Sequence, residues 1–257
     1  MRVAQLQELL IYPVKSLRGQ RVASRALTTC LAGDRQWGVF DTATGKLLSA
    51  KTIPALLALA AAHDDASGQV TIFDDAGHRV VAGTPEADEF LSRVVGRNVR
   101  VNQGQPEAHA IDVDIDDGEV AHGQVDTFYT KPGWLFDSQS PVHAVSAATL
   151  AALGEAHQRH AGAVARYRPN WVLEGCTAFA EEAWIGHTLQ VGQARVHVRK
   201  RTERCVVPSR MHDAQTPHDR TLLKFLNHQR QFCVGVYLEV VQPGRVQVGD
   251  WVTSLGA

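Results

Sequence analysis

Cysteine is scarce in this 257-residue chain: Cys30, Cys176, Cys205 and Cys233 stand far apart, with no CxxC pair. That spacing excludes zinc-ribbon and thioredoxin-type patterns, and free thiols suit a reducing compartment. Long apolar runs are missing too. A membrane helix needs about 20 apolar residues, and the longest stretch, Ile53 to Ala62, is short and contains Pro54. Neither sign of charge dominates, since 26 Lys and Arg meet 27 Asp and Glu, so no global field draws the chain to nucleic acid. No GxGxxG, phosphate-loop or G-x-S-x-G sequence occurs, which removes the usual marks of dinucleotide-binding, NTP-hydrolysing and serine-hydrolase domains. Met1 to Pro13 runs directly into strand-like alternation with no secretory pattern. A soluble, cytoplasmic protein with no membrane or nucleic-acid partner is expected.

What is present is an ordinary globular composition, 44% hydrophobic, able to bury a core. Strands are expected at Leu6–Tyr12 and Gly19–Leu27 around a Pro13–Gly19 turn, then at Trp37–Asp41 with a hairpin partner from Leu47. Ala55–Ala62 is rich in helix formers after Pro54, and Val70–Phe73 with Arg79–Val81 reads as a hairpin. Pro85–Val95 has an amphipathic helical pattern. Gln103–Gly133, rich in Asp, Gly and His, reads as a linker between two domains. Ser146 suits the N-cap of a helix reaching about Ala161. Strands at Trp171–Leu173, Thr188–Val191 and Ala194–Val198, a helix at Thr221–Gln229, and strands at Val234–Val240 and Gly244–Val252 complete the pattern. Many short strands with few helices predict a mainly β protein of two barrel-like domains, residues 1–108 and 109–257.

Chemistry concentrates around Cys205. Between Arg195 and Arg210 five arginines and Lys200 face one acid, Glu203. Neighbouring cations favour a thiolate, making Cys205 a candidate nucleophile or soft-metal ligand, and arginines at this density suit an anionic group. A solvated basic strand edge is the plainer reading of the same residues. The acidic run Asp112–Gly118 resembles a calcium loop, but its glycine comes one position late and Gly123 stands where a bidentate Glu is needed, so a solvated acidic turn is expected. His212-Asp213 and His218-Asp219 lack the helical spacing and third ligand of a dedicated metal site.

Four segments, taken in order, resemble the MOSC (molybdenum-cofactor sulfurase C-terminal) family with its N-terminal β-barrel partner domain. They are Ile11-Tyr-Pro-Val-Lys-Ser-Leu-Arg-Gly19, Gly33-Asp-Arg-Gln-Trp37 with Leu47-Leu-Ser-Ala-Lys51, Arg166-Tyr-Arg-Pro-Asn170, and Arg204-Cys-Val-Val207. Within the family the resemblance is to the amidoxime-reducing components and their bacterial counterparts. It implies a molybdopterin-bound molybdenum cofactor between the two domains, with Cys205 as the molybdenum ligand and catalytic residue. By the same resemblance Lys15, Ser16, Arg35, Lys51, Arg168, Asn170 and Arg204 would hold the pterin or its phosphate. The implied activity is reduction of small N-hydroxylated or N-oxide compounds. Because the chain ends at Ala257, electrons are expected from separate proteins of the ferredoxin or flavin-reductase type.

The sequence departs from the family after the cysteine. Relatives read T-T-x-D-P-x-T-G there, whereas this chain runs Val207-Pro-Ser-Arg-Met-His-Asp-Ala-Gln-Thr216. Ser209 stands as a replacement hydroxyl, Asp213 as a replacement acid, and His212 or Asp213 as a proton relay. Two other functions remain open at this stage: a persulfide carrier using Cys205, and a cofactor-binding protein without turnover.

Overall fold

The computed structural model describes residues 1–114, 125–136, 140–157 and 160–256. In chain order the strands of the first half are β1 (Arg2–Ile11), β2 (Gln20–Val22), β3 (Ser24–Leu27), β4 (Trp37–Asp41), β5 (Ala60–His63), β6 (Val70–Phe73) and β7 (Arg79–Val81). Helix α1 (Pro85–Val95) follows, then β8 (Val99–Gln103), β9 (Ala110–Asp114) and β10 (Val125–Tyr129). The second half comprises β11 (Val142–Ser146), α2 (Ala147–His157), α3 (Val164–Tyr167), β12 (Trp171–Glu174), β13 (Thr188–Val191) and β14 (Ala194–Glu203). It ends with α4 (Leu222–Arg230), β15 (Cys233–Gln242), β16 (Gly244–Gln247) and β17 (Trp251–Ser254). The fold is mostly β with short helices, as the composition and turn pattern predict.

Its centre is a closed seven-stranded barrel in the order β12-β11-β15-β14-β13-β17-β1, sealed by the antiparallel pairing of β1 with β12. Alternation decides which residues fill it. On β14 Ala194, Val196 and Val198 are buried while Arg195 is exposed, and they join Leu6, Leu9, Ile11, Trp171, Val236 and Leu238 in one core. Closure leaves β1 and β12 no free edge to protect. The first half packs around a separate core of Val39, Leu56, Ile72, Phe90, Leu91 and Val101. There β4 pairs with β8, and Leu47 bridges Phe40 to Ile111 of the β9–β10 hairpin.

Several sequence expectations change. Ala55–Ala62 is a 3-10 turn over Pro54–Ala58 followed by β5, because Ala60–His63 finds the edge of β6. The expected linker contains the β9–β10 hairpin, where Lys46 Nζ reaches Asp112 at 2.8 Å and Thr127 donates to the same carboxylate at 2.7 Å. Asp112–Asp114 therefore belong to a strand; the rest of the acidic run, with Gly123, lies outside the described residues. The strand expected over Gly244–Val252 breaks into β16 and β17 around Gly249, at φ +90°. Ser146 does cap α2, accepting the Thr149 amide at 3.0 Å, and Thr84 caps α1 likewise through the Ala87 amide.

Candidate functional site

A cavity of about 850 Å³ is lined by residues from both halves of the chain. Lys15, Ser16, Arg35, Lys51, Arg168, Asn170, Arg204 and Cys205 all lie on its wall, although 190 positions separate Lys15 from Cys205. Among the described residues eight cations line it, Lys15, Arg35, Lys51, Arg168 and Arg204 being joined by Lys131, Arg199 and Lys200, and only Glu203 and Glu239 oppose them.

Each predicted residue is placed by a specific local structure. β1 leads through Tyr12 and Pro13 into the turn carrying Lys15 and Ser16. Ser16 sits at φ +71°, and its Oγ accepts the Ala50 amide at 2.9 Å, tying this turn to the Ser49–Lys51 segment. Arg35 at φ +49° and Arg168 at φ +51° are also left-handed, so among the described residues three of the seven non-glycine residues with positive φ (the others His160, Phe179, Gln231 and Phe232) are cavity residues. Such conformations cost about 1–3 kcal/mol each and persist where the surrounding structure fixes them.

The cations on this wall are sorted by buried partners. Asp34 has no exposed side-chain surface and accepts from Arg35, from the Tyr12 amide at 2.6 Å and from Asn170 Nδ2 at 3.1 Å. The guanidinium carbons of Arg35 and Arg168 lie 4.7 and 4.3 Å from the centroid of the Tyr12 ring. Burial pushes Arg168 down to about 10, Arg35 and Arg204 adding to that effect while Tyr12 and Asp34 oppose it. It stays charged at neutral pH, close to other cations, an arrangement that an anion entering the cavity would relieve. Arg204 donates to the Tyr167 carbonyl at 2.8 Å, and its Nε is buried with no hydrogen-bond partner among the described residues.

Asn170 lines the cavity but its side chain is occupied within the protein. Nδ2 donates to Leu10 O at 3.2 Å and to Asp34, while Oδ1 accepts the His143 amide at 3.2 Å. It staples β1 to β11. Lys51 lines the wall through the segment that Ser49 caps, with its amide donating to Ser49 Oγ at 3.2 Å.

After Cys205, Val207 still lines the cavity, and Ser209 and His212 turn inward from it. Ser209 donates its hydroxyl to Val206 O at 2.7 Å, and His212 Nε2 donates to Val207 O at 3.0 Å. Burial, with Arg168 next, holds His212 down at about 4, so its ring is neutral near pH 7. Neither His212, Asp213 nor Ser209 lines the cavity, and the proton-relay and replacement-hydroxyl expectations are corrected accordingly. Arg166 holds this loop: fully buried, it donates to His160 O, Pro208 O and Pro217 O.

Sequence reading missed Asp34, Tyr12, Lys131, His143 and Tyr237 at the site. Asp34 and Tyr12 lie inside quoted motifs, beside Arg35 and Lys15, and were readable there as buried partners. Arg199 and Lys200 were visible as charge but not as neighbours on one wall. A register shift between Val198 and Lys200 breaks the alternation, leaving both exposed and both on the cavity.

A barrel closed by an N-terminal strand, with a half-buried cysteine in a cationic cavity beside it, defines the class of protein. The MOSC domain model matches residues 119–253 and the MOSC N-terminal beta barrel domain model matches residues 3–111. The chain belongs to the MOSC family. It is 23% identical over 289 aligned residues to the mouse mitochondrial amidoxime-reducing component 1, covering 99% of this chain and 83% of that protein. The human protein of the same name is 27% identical over 147 residues, 52% of this chain, and the match spans only 43% of that relative. The crystal structure of the YUAD protein from Bacillus subtilis shares the fold, with a TM-score of 0.50 at 11% identity over 97% of this chain and 93% of that one. No helix among the described residues is long and apolar enough to cross a membrane.

Proposed function

We propose that the chain binds a molybdenum–molybdopterin cofactor in this cavity and reduces N-hydroxylated or N-oxide compounds. The observation that carries the reading is the convergence of Lys15, Ser16, Arg35, Lys51, Arg168 and Arg204 on the single cavity that Cys205 lines. The residues fit such a group. A thiolate is a soft ligand suited to molybdenum, and the surrounding cations suit a phosphate. The orphaned Nε of Arg204 gives an anion a buried donor to satisfy, worth about 1–3 kcal/mol. Among the described residues no group of three His, Cys, Asp or Glu could hold a metal ion, so the metal would arrive with ligands of its own besides Cys205.

When bound, the cofactor supplies the two-electron chemistry, and the protein supplies binding and electrostatics. Lys15, Arg35, Arg168 and Arg204 hold the anionic end, Ser16 keeps the Lys15 turn against Ala50, and Cys205 presents its sulfur. Converting N–OH to N–H consumes two electrons and two protons and releases water. The electrons would come from a separate ferredoxin or flavin-reductase-type partner. The similarity to the amidoxime-reducing components supports this substrate class.

A second reading is kept by one observation: Cys205 is the only cysteine among the described residues that lines the cavity, so a persulfide formed on it would have no neighbouring thiol there to discharge it. The deciding experiment is metal analysis of protein made in a molybdate-supplied host that makes the cofactor, beside Cys205→Ala. Near-stoichiometric molybdenum that vanishes in the variant supports the oxidoreductase. Absence of metal from both proteins overturns it, and a desulfurase-dependent mass gain of one sulfur on Cys205 would then establish the carrier.

A further inference from the structure

We propose that Tyr12 is a positioning residue of the anion cradle, its ring holding the Arg35 and Arg168 guanidinium groups as a pair. The proposal rests on the reading that the cavity takes an anionic group. The two guanidinium carbons stand 4.7 and 4.3 Å from the same ring centroid. The ring is itself fixed at three points: its hydroxyl donates to Pro169 O at 3.0 Å, its amide donates to Asp34 at 2.6 Å, and its carbonyl accepts the Arg35 amide at 2.8 Å. Tyr12 is 3% exposed, so the contacts are desolvated, where attraction between a cation and an aromatic face is strongest.

The physical problem solved is one of like charges. Two guanidinium groups facing one cavity repel, and each gains by turning toward solvent. Asp34 restrains Arg35, but Arg168 has no carboxylate in an ion pair among the described residues, and the Tyr12 face is what meets it. Holding both cations in place before the ligand arrives removes an ordering cost from binding. The Tyr12 hydroxyl secures the turn at Pro169 from which Arg168 projects. Ring and hydroxyl thus act on the same arginine, and two substitutions separate them. Tyr12→Phe keeps the ring and removes the hydroxyl; Tyr12→Leu removes both while keeping apolar bulk.

The test is calorimetric titration of the cofactor-free full chain with inorganic pyrophosphate, with thermal unfolding of every variant recorded alongside. Tyr12→Phe is expected to bind within about threefold of the parent protein. Tyr12→Leu is expected to bind at least about tenfold more weakly. Should Tyr12→Leu not fold, Tyr12→Met replaces it with an equally ring-free side chain. Loss in Tyr12→Phe as large as in Tyr12→Leu overturns the role of the ring. Parent-like affinity in folded Tyr12→Leu or Tyr12→Met overturns the proposal and leaves the anionic cavity standing. A parent protein that binds no pyrophosphate overturns both.

Discussion

Arg166→Met is the perturbation that most directly questions how the loop after Cys205 is held. Arg166 has no exposed surface, and its guanidinium donates to His160 O at 3.0 Å, Pro208 O at 2.7 Å and Pro217 O at 2.8 Å. Two of these carbonyls sit near either end of the 206–219 loop, so one side chain ties both to α3. Methionine keeps the apolar stem and removes every donor. A hydrogen bond to a charged group contributes about 1.5–3 kcal/mol, roughly 5–9 kcal/mol for the three. Removing the buried charge relieves a desolvation cost of several kcal/mol. The net loss is expected near 2–4 kcal/mol, less than the roughly 5–15 kcal/mol of a folded domain, so the variant still folds. In equilibrium urea unfolding, with a slope of about 2 kcal/mol per molar, the midpoint should fall by about 1–2 M. Hydrogen exchange should quicken within residues 206–219 and not in β13 or β17. Arg166→Lys should recover only part of the loss, because one ammonium cannot reach three carbonyls set around a planar fork. A midpoint shift below about 0.5 M with unchanged exchange would show that other groups satisfy those carbonyls and that Arg166 does not hold the loop.

Two further outcomes follow from other buried groups. Burial holds the 1% exposed His212 at about 4 in the fold, against about 6.5 unfolded. Between those values the unfolded chain binds more protons, so this contribution is complete above about pH 6.5 and is lost as pH falls toward 4, to the extent of about 3 kcal/mol. Burial shifts His143 in the same direction. Unfolding free energies at pH 7 and pH 5 should therefore differ less in His212→Gln than in the parent, and equal differences would refute the assignment. Gly235 stands at φ +75°, and a Cβ there would lie 2.4 Å from Ala144 O and 2.5 Å from His143 Nε2. Gly235→Ala should cost about 3 kcal/mol and lower the thermal midpoint by about 6–12 °C; a shift under about 2 °C would mean that β11 yields at little cost.

The sequence made the site more legible than the strands around it, for a physical reason. Lys15, Arg35, Arg168, Arg204 and Cys205 stand in short motifs whose order along the chain could be compared with a family, and all of them reach the cavity. Spatial neighbours that no motif contains were invisible: Lys131 lies within the expected linker, and Tyr237 sits within a strand whose alternation suggests only packing. Arg199 and Lys200 illustrate the limit best. Period-two alternation assigns adjacent residues to opposite faces, and only the register shift beside Val198 places both on the cavity. Ala60–His63 failed differently. Its alanines favour a helix by intrinsic propensity, but pairing with β6 overrides a preference of a few tenths of a kcal/mol per residue. His212 was read as a proton relay, but burial holds it at about 4 and its ring turns to Val207 O.

The boundary between the two family matches, from residue 111 to 119, is not a boundary of the central sheet. β1 lies in the first match yet pairs with β12 and β17 of the second, and then runs straight into Tyr12 and the Lys15 turn. The Leu10 amide donates to Asn170 O at 2.8 Å, and Asn170 Nδ2 returns a hydrogen bond to Leu10 O. The end of β1 is therefore locked to the turn bearing Arg168. Cations from distant parts of the sequence are brought together by ladders and core packing, so their mutual repulsion is borne by folding before any ligand is present. An anion bound there lowers that repulsion only in the folded state. Its binding must stabilise the barrel by an amount that grows with the logarithm of ligand concentration over its dissociation constant. Fold stability and occupancy of the cavity are thus coupled through β1, the strand that both closes the barrel and carries the chain into the site.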